Sequence, residues 1–486
     1  MSDTTSSKSD SGPITENIDI QEKKLNNIDE EKQPVPAPSP PYSAFTTRRK
    51  SFIIFLVTFA GFLGPVSGNI YIPILPQLQD VFDCSETTIN ATVSVFMAVF
   101  AVSPLLWAVW ADFGGRKTLY LTSLVFYILS NILLAAIPAN IAALFVLRIS
   151  QAFGASSVMS VGAGTVADII PAKDRGKAMS YFMLGPQLGP VLGPILSLIA
   201  TNGNWRWIFG FLSIIGGIIY LLIVFCLPET LRYLVGNGEE LKLSGPFVKP
   251  KYTQPKLVEN FPKPPKPSLK NYWSAIKFMP VLLCSLNSGF LFASFYGISV
   301  TFTRILKDDY GFSQLARSLS YICPGLSLIS GSLIGGRLSD YLRRRAKNKN
   351  PTKYTPEQRF SIQIVGLAIS IAGILGYGWC VDKHIHVVAV FVFTFLAGFG
   401  MTWVFITTTT YLTEVSSAQP ATNVAIANFA RNASAAISSV IIDRLVEQMG
   451  FGWCFTGLAF VNLIGIFIVL LVIYRGPTWR SKRDPK

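Results

Sequence analysis

The chain has 486 residues; half are hydrophobic, only 14% are charged, and the formal net charge is +15. A positive mean hydropathy sets it apart from ordinary soluble domains. The excess of Lys and Arg does not point to nucleic acid, because the basic residues flank apolar runs instead of lining one soluble face.

Residues 1–47 are rich in Ser, Asp, Glu, Lys and Pro, end in a Pro-rich stretch at 34–41, and lack apolar periodicity. They are expected to form a disordered tail. No apolar segment near Met1 resembles a cleaved signal, so the first span is expected to direct insertion itself. Apolar runs of roughly 18 to 25 residues can cross hydrocarbon as helices, which satisfy their own backbone hydrogen bonds. About twelve are predicted: 52–75, 88–110, 118–138, 141–166, 177–200, 207–227, 278–303, 316–338, 360–381, 386–410, 421–443 and 453–474. A central loop at 229–275, rich in Pro and Lys, separates six spans within 48–228 from six within 276–474, and residues 475–486 form a terminal tail.

The basic residues predict an orientation with both termini in the cytoplasm. Arg48 to Lys50, Arg116 and Lys117, Lys173 to Lys177, Arg343 to Lys353 and Arg475 to Arg483 then share the cytoplasmic side, opposite Asp80, Asp83 and Glu86. The six cysteines are scattered and most lie within spans, where the thiol behaves as a small hydrophobe. His384 and His386 read as part of a solvated loop, without metal-ligand spacing.

Four motifs carry chemistry. The second span ends in Asp112-Phe113-Gly114-Gly115-Arg116-Lys117. The glycines allow a tight reversal, Asp112 can cap or pair across it, and the basic pair is expected at the lipid headgroups. The eighth span ends in a second charged turn, from Gly336 through Asp340 to Arg345. One such turn per half implies a duplicated six-helix unit, the usual architecture of carriers that rock around a midplane site.

In the fourth span Arg148 lies roughly 10 Å along its helix, near Gln151 and Gly154. A guanidinium at that depth is costly and therefore a functional candidate, with snorkelling to the headgroups as the rival reading. Asp168 closes the same span and is expected to pair with the basic loop Lys173 to Lys177 or to relay protons. In the fifth span, Gly185-Pro186-Gln187-Leu188-Gly189-Pro190 continues to Gly193-Pro194. Glycine at every fourth position gives a smooth contact face and the prolines soften the helix, as a mobile seam between halves would need.

These motifs resemble the signatures of the major facilitator superfamily, and Gly185 to Pro194 is similar to its antiporter motif. Pro228-Glu229-Thr230, Trp205-Arg206-Trp207 and Pro356-Glu357-Gln358-Arg359 resemble the fungal quinidine-resistance and acid/azole-resistance type of twelve-span drug:proton antiporter. Departures are Ala108 and Phe113 in the first motif, where Gly and a basic residue are usual, and Ala152 after Gln151. The resemblance spans about 45–480 and implies an all-α membrane protein, with twelve transmembrane helices in two pseudo-symmetric six-helix bundles. It also implies monomeric export of drugs, weak acids or amino-acid-like solutes across a plasma membrane, driven by inward protons. Proton coupling is assigned to Arg148, Asp168 and Asp112; conformational gating to Asp112, Gly115, Arg116, Gly185, Pro186, Gly189, Pro190, Gly193 and Asp340.

No Asp or Glu lies near the middle of a span, which leaves Asp112, Asp168 and Glu414, near cytoplasmic ends, as titratable candidates. Polar and aromatic residues well inside spans are the expected substrate contacts: Asn69, Gln151, Gln187, Asn287, Phe295, Tyr296, Trp403, Asn428 and Arg431. Arg431 sits about ten residues into its span, free either to bind an anion or to brace helices. The absence of a mid-span carboxylate favours neutral, weakly acidic or zwitterionic solutes over cations. There is no nucleophile–base pair, nucleotide loop or metal site, so neither enzyme activity nor a cofactor is expected. A proton-independent facilitator, or a non-transporting protein of lipid homeostasis or sensing, is the alternative.

Overall fold

The computed structural model describes residues 42–136, 138, 140–200, 204–238, 268–349, 355–415 and 419–483. The Pro-rich stretch, almost all of the tail at 1–47 and most of the central loop at 229–275 lie outside the described residues. The first half contains α1 (Thr47–Asn69), α2 (Glu86–Gly114), α3 (Arg116–Ala136), α4 (Ile141–Ile169), α5 (Arg175–Leu196) and α6 (Arg206–Cys226). The second contains α7 (Met279–Asp308), α8 (Ile322–Lys349), α9 (Gln363–Asp382) and α10 (Val387–Val415), then a helical stretch Pro420–Arg483. Gly450 breaks that stretch with φ 78° into α11 (420–449) and α12 (451–483).

Among the described residues, nine helices are long and apolar enough to cross a membrane, including all of the first half except α5. The helices that fall short, α5, α8 and α11, are rich in Gly, Pro, Ser and Asn. They lie along the seam between the halves: α5 packs on α1 and α8, α8 on α10, and α11 lies against α2 and α7. A helix that buries part of its surface against protein needs apolar residues only where it is exposed, as at Leu326, Ile334, Ile437 and Ile441. Contact between the halves runs along α5–α8 and α2–α11, the same pairing of a fifth helix with a second helix in both directions.

Local signals explain the helix ends. The Ser85 hydroxyl accepts the Thr88 N–H at 3.2 Å and starts α2. Gly115 ends it with φ 108°, and a Cβ at this position would come within 2.6 Å of Glu229 Oε2. One face of the bundle carries the α2–α3, α4–α5, α8–α9 and α10–α11 turns with most of the basic residues; the opposite face carries the alternate connections.

Candidate functional site: two crossed latches and a central cavity

At the basic face, the α2–α3 turn folds into a buried charge cluster. Arg116, with no exposed surface, pairs through Nη1 with Asp112 Oδ1 at 2.7 Å and through Nε with Asp168 Oδ2 at 2.9 Å. The expected headgroup position of Arg116 is therefore corrected: two carboxylates hold it inside, which offsets the cost of burying its charge. Asp168 pairs with Arg116 and not with the loop Lys173 to Lys177. Glu229 accepts the backbone N–H of Arg116 at 2.8 Å and of Lys117 at 3.2 Å, capping α3. Asp112 also reaches the other half, accepting the Thr422 N–H at 3.0 Å and its hydroxyl at 2.7 Å where α11 begins.

The second half repeats this arrangement in the same chain order. Arg359 pairs with Asp340 at 3.0 Å and with Glu414 at 2.8 Å, again without exposed surface. Asp340 accepts the N–H groups of Gly176 at 2.9 Å and Lys177 at 2.8 Å at the start of α5. Each half thus lends a carboxylate to the N-terminus of the other half's fifth helix, where unpaired N–H groups and the helix dipole favour negative charge. Arg359 further donates to the Ala172 carbonyl, and Arg344 pairs with Asp174 across the same seam.

A third tie uses the segment before α1. The Tyr42 hydroxyl donates to the Ala167 carbonyl at 2.8 Å and accepts from Arg175 Nη2 at 3.0 Å. Arg175 Nη1 in turn donates to the Thr413 carbonyl of the second half at 3.0 Å. The Arg232 guanidinium covers the Tyr42 ring at 3.8 Å.

The glycine face of α5 turns elsewhere than the seam. Gly185, Gly189 and Gly193 lie against Thr58, Pro65 and Asn69 of α1, within the same half. The seam with α8 is formed by Gly176 and Ser180 against Ser332, Gly336 and Asp340. Four-residue spacing identifies a close-packing face but not which neighbour it meets.

Arg148 is fully buried and does not snorkel. Its Nη1 donates to Gln151 Oε1 at 2.7 Å, and Gln151 donates to Asn131 Oδ1 at 2.7 Å. The rings of Tyr71 and Phe96 lie 4.1 and 4.2 Å from the guanidinium. Its Nε and Nη2 have no hydrogen-bond partner among the described residues.

Between the halves lies a cavity of about 860 Å³, within the range of small-molecule sites. It reaches Ile72, Pro73 and Arg317 at the face opposite the latches and ends inward at Pro104, Met159 and Met401. Asn69, Pro186, Gln187, Pro190, Phe295, Tyr296, Asn428 and Arg431 line it. Gln151, Asn287 and Trp403 do not: Gln151 is bound to Arg148, Asn287 faces Gly465 of α12, and Trp403 packs on Gly335 and Gly366. Phe292, an aromatic whose position in its span allows stacking on a flat solute, lines the cavity as well, and so do Phe405 and Tyr321, to which the sequence does not point. Phe405, one of many span aromatics, gives no signal in sequence until its ring is seen 3.6 Å from the Arg431 guanidinium.

Two interlocked six-helix halves around a shared cavity, latched at one face, define a multi-pass membrane carrier architecture. The chain belongs to the major facilitator superfamily, whose family model matches residues 57–438. It is 48% identical to Dityrosine transporter 1 of Saccharomyces cerevisiae, over 94% of this chain and 86% of that protein. It is 44% identical to Multidrug transporter DTR1 of Candida glabrata, over 99% of this chain and 92% of that one. The crystallised proton:xylose symporter XylE superposes with a TM-score of 0.65 at 17% identity, covering 88% of this chain and 96% of its own, a likeness of fold.

Proposed function

We propose that this chain exports small organic solutes, aromatic and amphipathic compounds among them, across the plasma membrane by alternating access in exchange for protons. The observation that carries the reading is the cavity shared by the two halves, open at one face and sealed at the other by paired acidic caps. With the basic face in the cytoplasm, both termini are cytoplasmic and the conformation is outward-open. Relatives named for dityrosine transport and for multidrug transport support solutes of this kind. Asp112, Asp168, Asp340 and Glu414 are the groups placed to exchange protons, while Arg148 shapes the field inside the first half. A monomer suffices, since one chain supplies both halves of the cavity.

The test is flux from liposomes carrying the purified protein, with dityrosine and a panel of neutral aromatic drugs. An imposed proton gradient should drive flux against the solute gradient, and an uncoupler should abolish it. Downhill flux indifferent to the gradient would return the facilitator reading, and no flux for any solute would overturn export.

A further inference from the structure

Resting on the exporter reading, we propose that Arg431 is the counter-charge for a carboxylate on the transported solute. The cavity then selects aromatic carboxylates, anionic or zwitterionic, over cations. The lining contains Arg431 and Arg317 but no Asp or Glu among the described residues. Arg431 is only 6% exposed and enters no ion pair among those residues. The buried arginines of the basic face, Arg116, Arg175 and Arg359, are tied to carboxylates or carbonyls; Arg431, in the cavity, is held chiefly by rings.

Phe405 and Phe292 lie 3.6 and 5.5 Å from the guanidinium carbon. Such contacts stabilise the cation through its faces and leave the N–H groups, which point outward in its plane, to be satisfied by something else. Nη2 donates to Asn428 Oδ1 at 2.5 Å. Arg431 Nε and the neighbouring Asn428 Nδ2 have no partner among the described residues. A side chain kept only to brace α11 against α10 is expected to have its donors met, because leaving a buried donor without a partner is costly. Arg431 and Asn428 line the cavity, and their two orphan donors lie just behind its surface; a rotation that turns the planar guanidinium edge-on to the cavity lets it grip a carboxylate with parallel N–H bonds. The clamping rings supply aromatic surface beside it, against which a ring of the same solute can lie.

Arg148 shares the lack of partners but not the access. It does not line the cavity, and the Phe96 ring, which does, covers it. Recognition of a carboxylate therefore falls to α11.

The experiment measures displacement of labelled dityrosine from the full-length protein in lipid nanodiscs by unlabelled dityrosine and by its bis-carboxamide. The amide keeps the shape and removes both negative charges. On the wild type, the acid should compete at least tenfold better than the amide. Arg431→Gln should weaken dityrosine binding roughly ten- to a hundredfold and remove the discrimination between acid and amide, and Arg431→Lys should restore part of it. Equal competition by acid and amide on the wild type, or no binding of either, overturns the proposal whatever the variants do. So does an Arg431→Gln protein that keeps the discrimination. Liposome flux of neutral drugs by the wild type separates the two readings: flux without acid selectivity leaves an exporter and removes the carboxylate site.

Discussion

Replacing Asp340 by Asn keeps the size of the side chain and removes the charge that ties the second half to the first. In the structure, Asp340 Oδ1 serves both the Gly176 N–H and Arg359 Nη1, while Oδ2 serves the Lys177 N–H. An amide has one oxygen. Whichever way it turns, its NH2 faces either the Lys177 donor or the Gly176–Arg359 pair, and one buried donor loses its acceptor. Hydrogen bonds to charged groups contribute about 1.5–3 kcal/mol net. The bonds to Gly176 and Lys177 cross between halves and exist only while the basic face is closed. The latched state should therefore lose about 2–3 kcal/mol relative to the open one, a shift of roughly 30- to 150-fold in the ratio of the two. Spin labels at Lys173→Cys and Arg345→Cys, on opposite sides of the seam, report this directly by pulsed dipolar spectroscopy. The long-distance population should grow in Asp340→Asn, and likewise in Asp112→Asn, which weakens the cap on Thr422. The two latches share no residue, so the effects should add in the double variant. An unchanged distance distribution in either variant, or a shift toward closure, refutes the latch argument.

Gly189→Leu should lower the thermal stability of the purified protein, because any Cβ at this position meets Pro65 and Val66 of α1; overpacking of this kind costs about 1–3 kcal/mol or more. Gly217→Ala on α6, where nothing lies within 4 Å of the new atom, is the matched control and should be neutral or stabilising; equal melting temperatures for the two variants would contradict the α1–α5 packing. Tyr42→Phe removes one hydroxyl that holds both the Ala167 carbonyl and Arg175. It should weaken the closed state by about 1 kcal/mol, read as a several-fold rise in the open population of the same label pair, and no rise removes Tyr42 from the gate. Arg148→Met should leave the melting temperature unchanged or higher, since a buried charge without a carboxylate is a net cost, while flux falls at least tenfold. Loss of stability with retained flux would make Arg148 a structural brace instead.

Apolar run lengths place all twelve expected spans, which correspond to α1 through α12. The signal is weakest for α5, α8 and α11, the helices of lowest apolarity. The acid partners in the latches were legible as types but not as geometry. Asp112 and Arg116 are four positions apart across a tight turn and so read as a pair, whereas nineteen positions separate Asp340 from Arg359, the equivalent of Arg116. The longer loop between α8 and α9 hides the equivalence until the fold closes it. Burial of Arg116 was missed for the same reason: Asp168 arrives from another helix, 52 positions away. Among the substrate candidates, polarity within a span identifies an inward direction but not the helix rotation. Gln187 and Asn428 accordingly face the cavity, while Gln151 and Asn287 turn to polar or small neighbours within their own half.

The carboxylates of the latches gather at one face, each beside an arginine, and two of them, Asp112 and Asp340, also cap a helix N-terminus. The arginines nearer the middle, Arg148 and Arg431, have rings and amides for company instead. Under the proposed proton exchange, substrate and protons have no shared carboxylate to compete for among the described lining residues. A proton taken up at Asp112 or Asp340 would weaken a cap on the opposite half, because a neutral carboxyl accepts fewer and weaker bonds from α11 or α5 than the anion does. An anion settling on Arg431 would neutralise the charge of the wall through which the halves must slide. Both events act on the free energy of the same closure from opposite ends of it. In the proposed exchange for protons, coupling would run through the relative position of the two halves, with the latches as the point where proton occupancy is converted into motion.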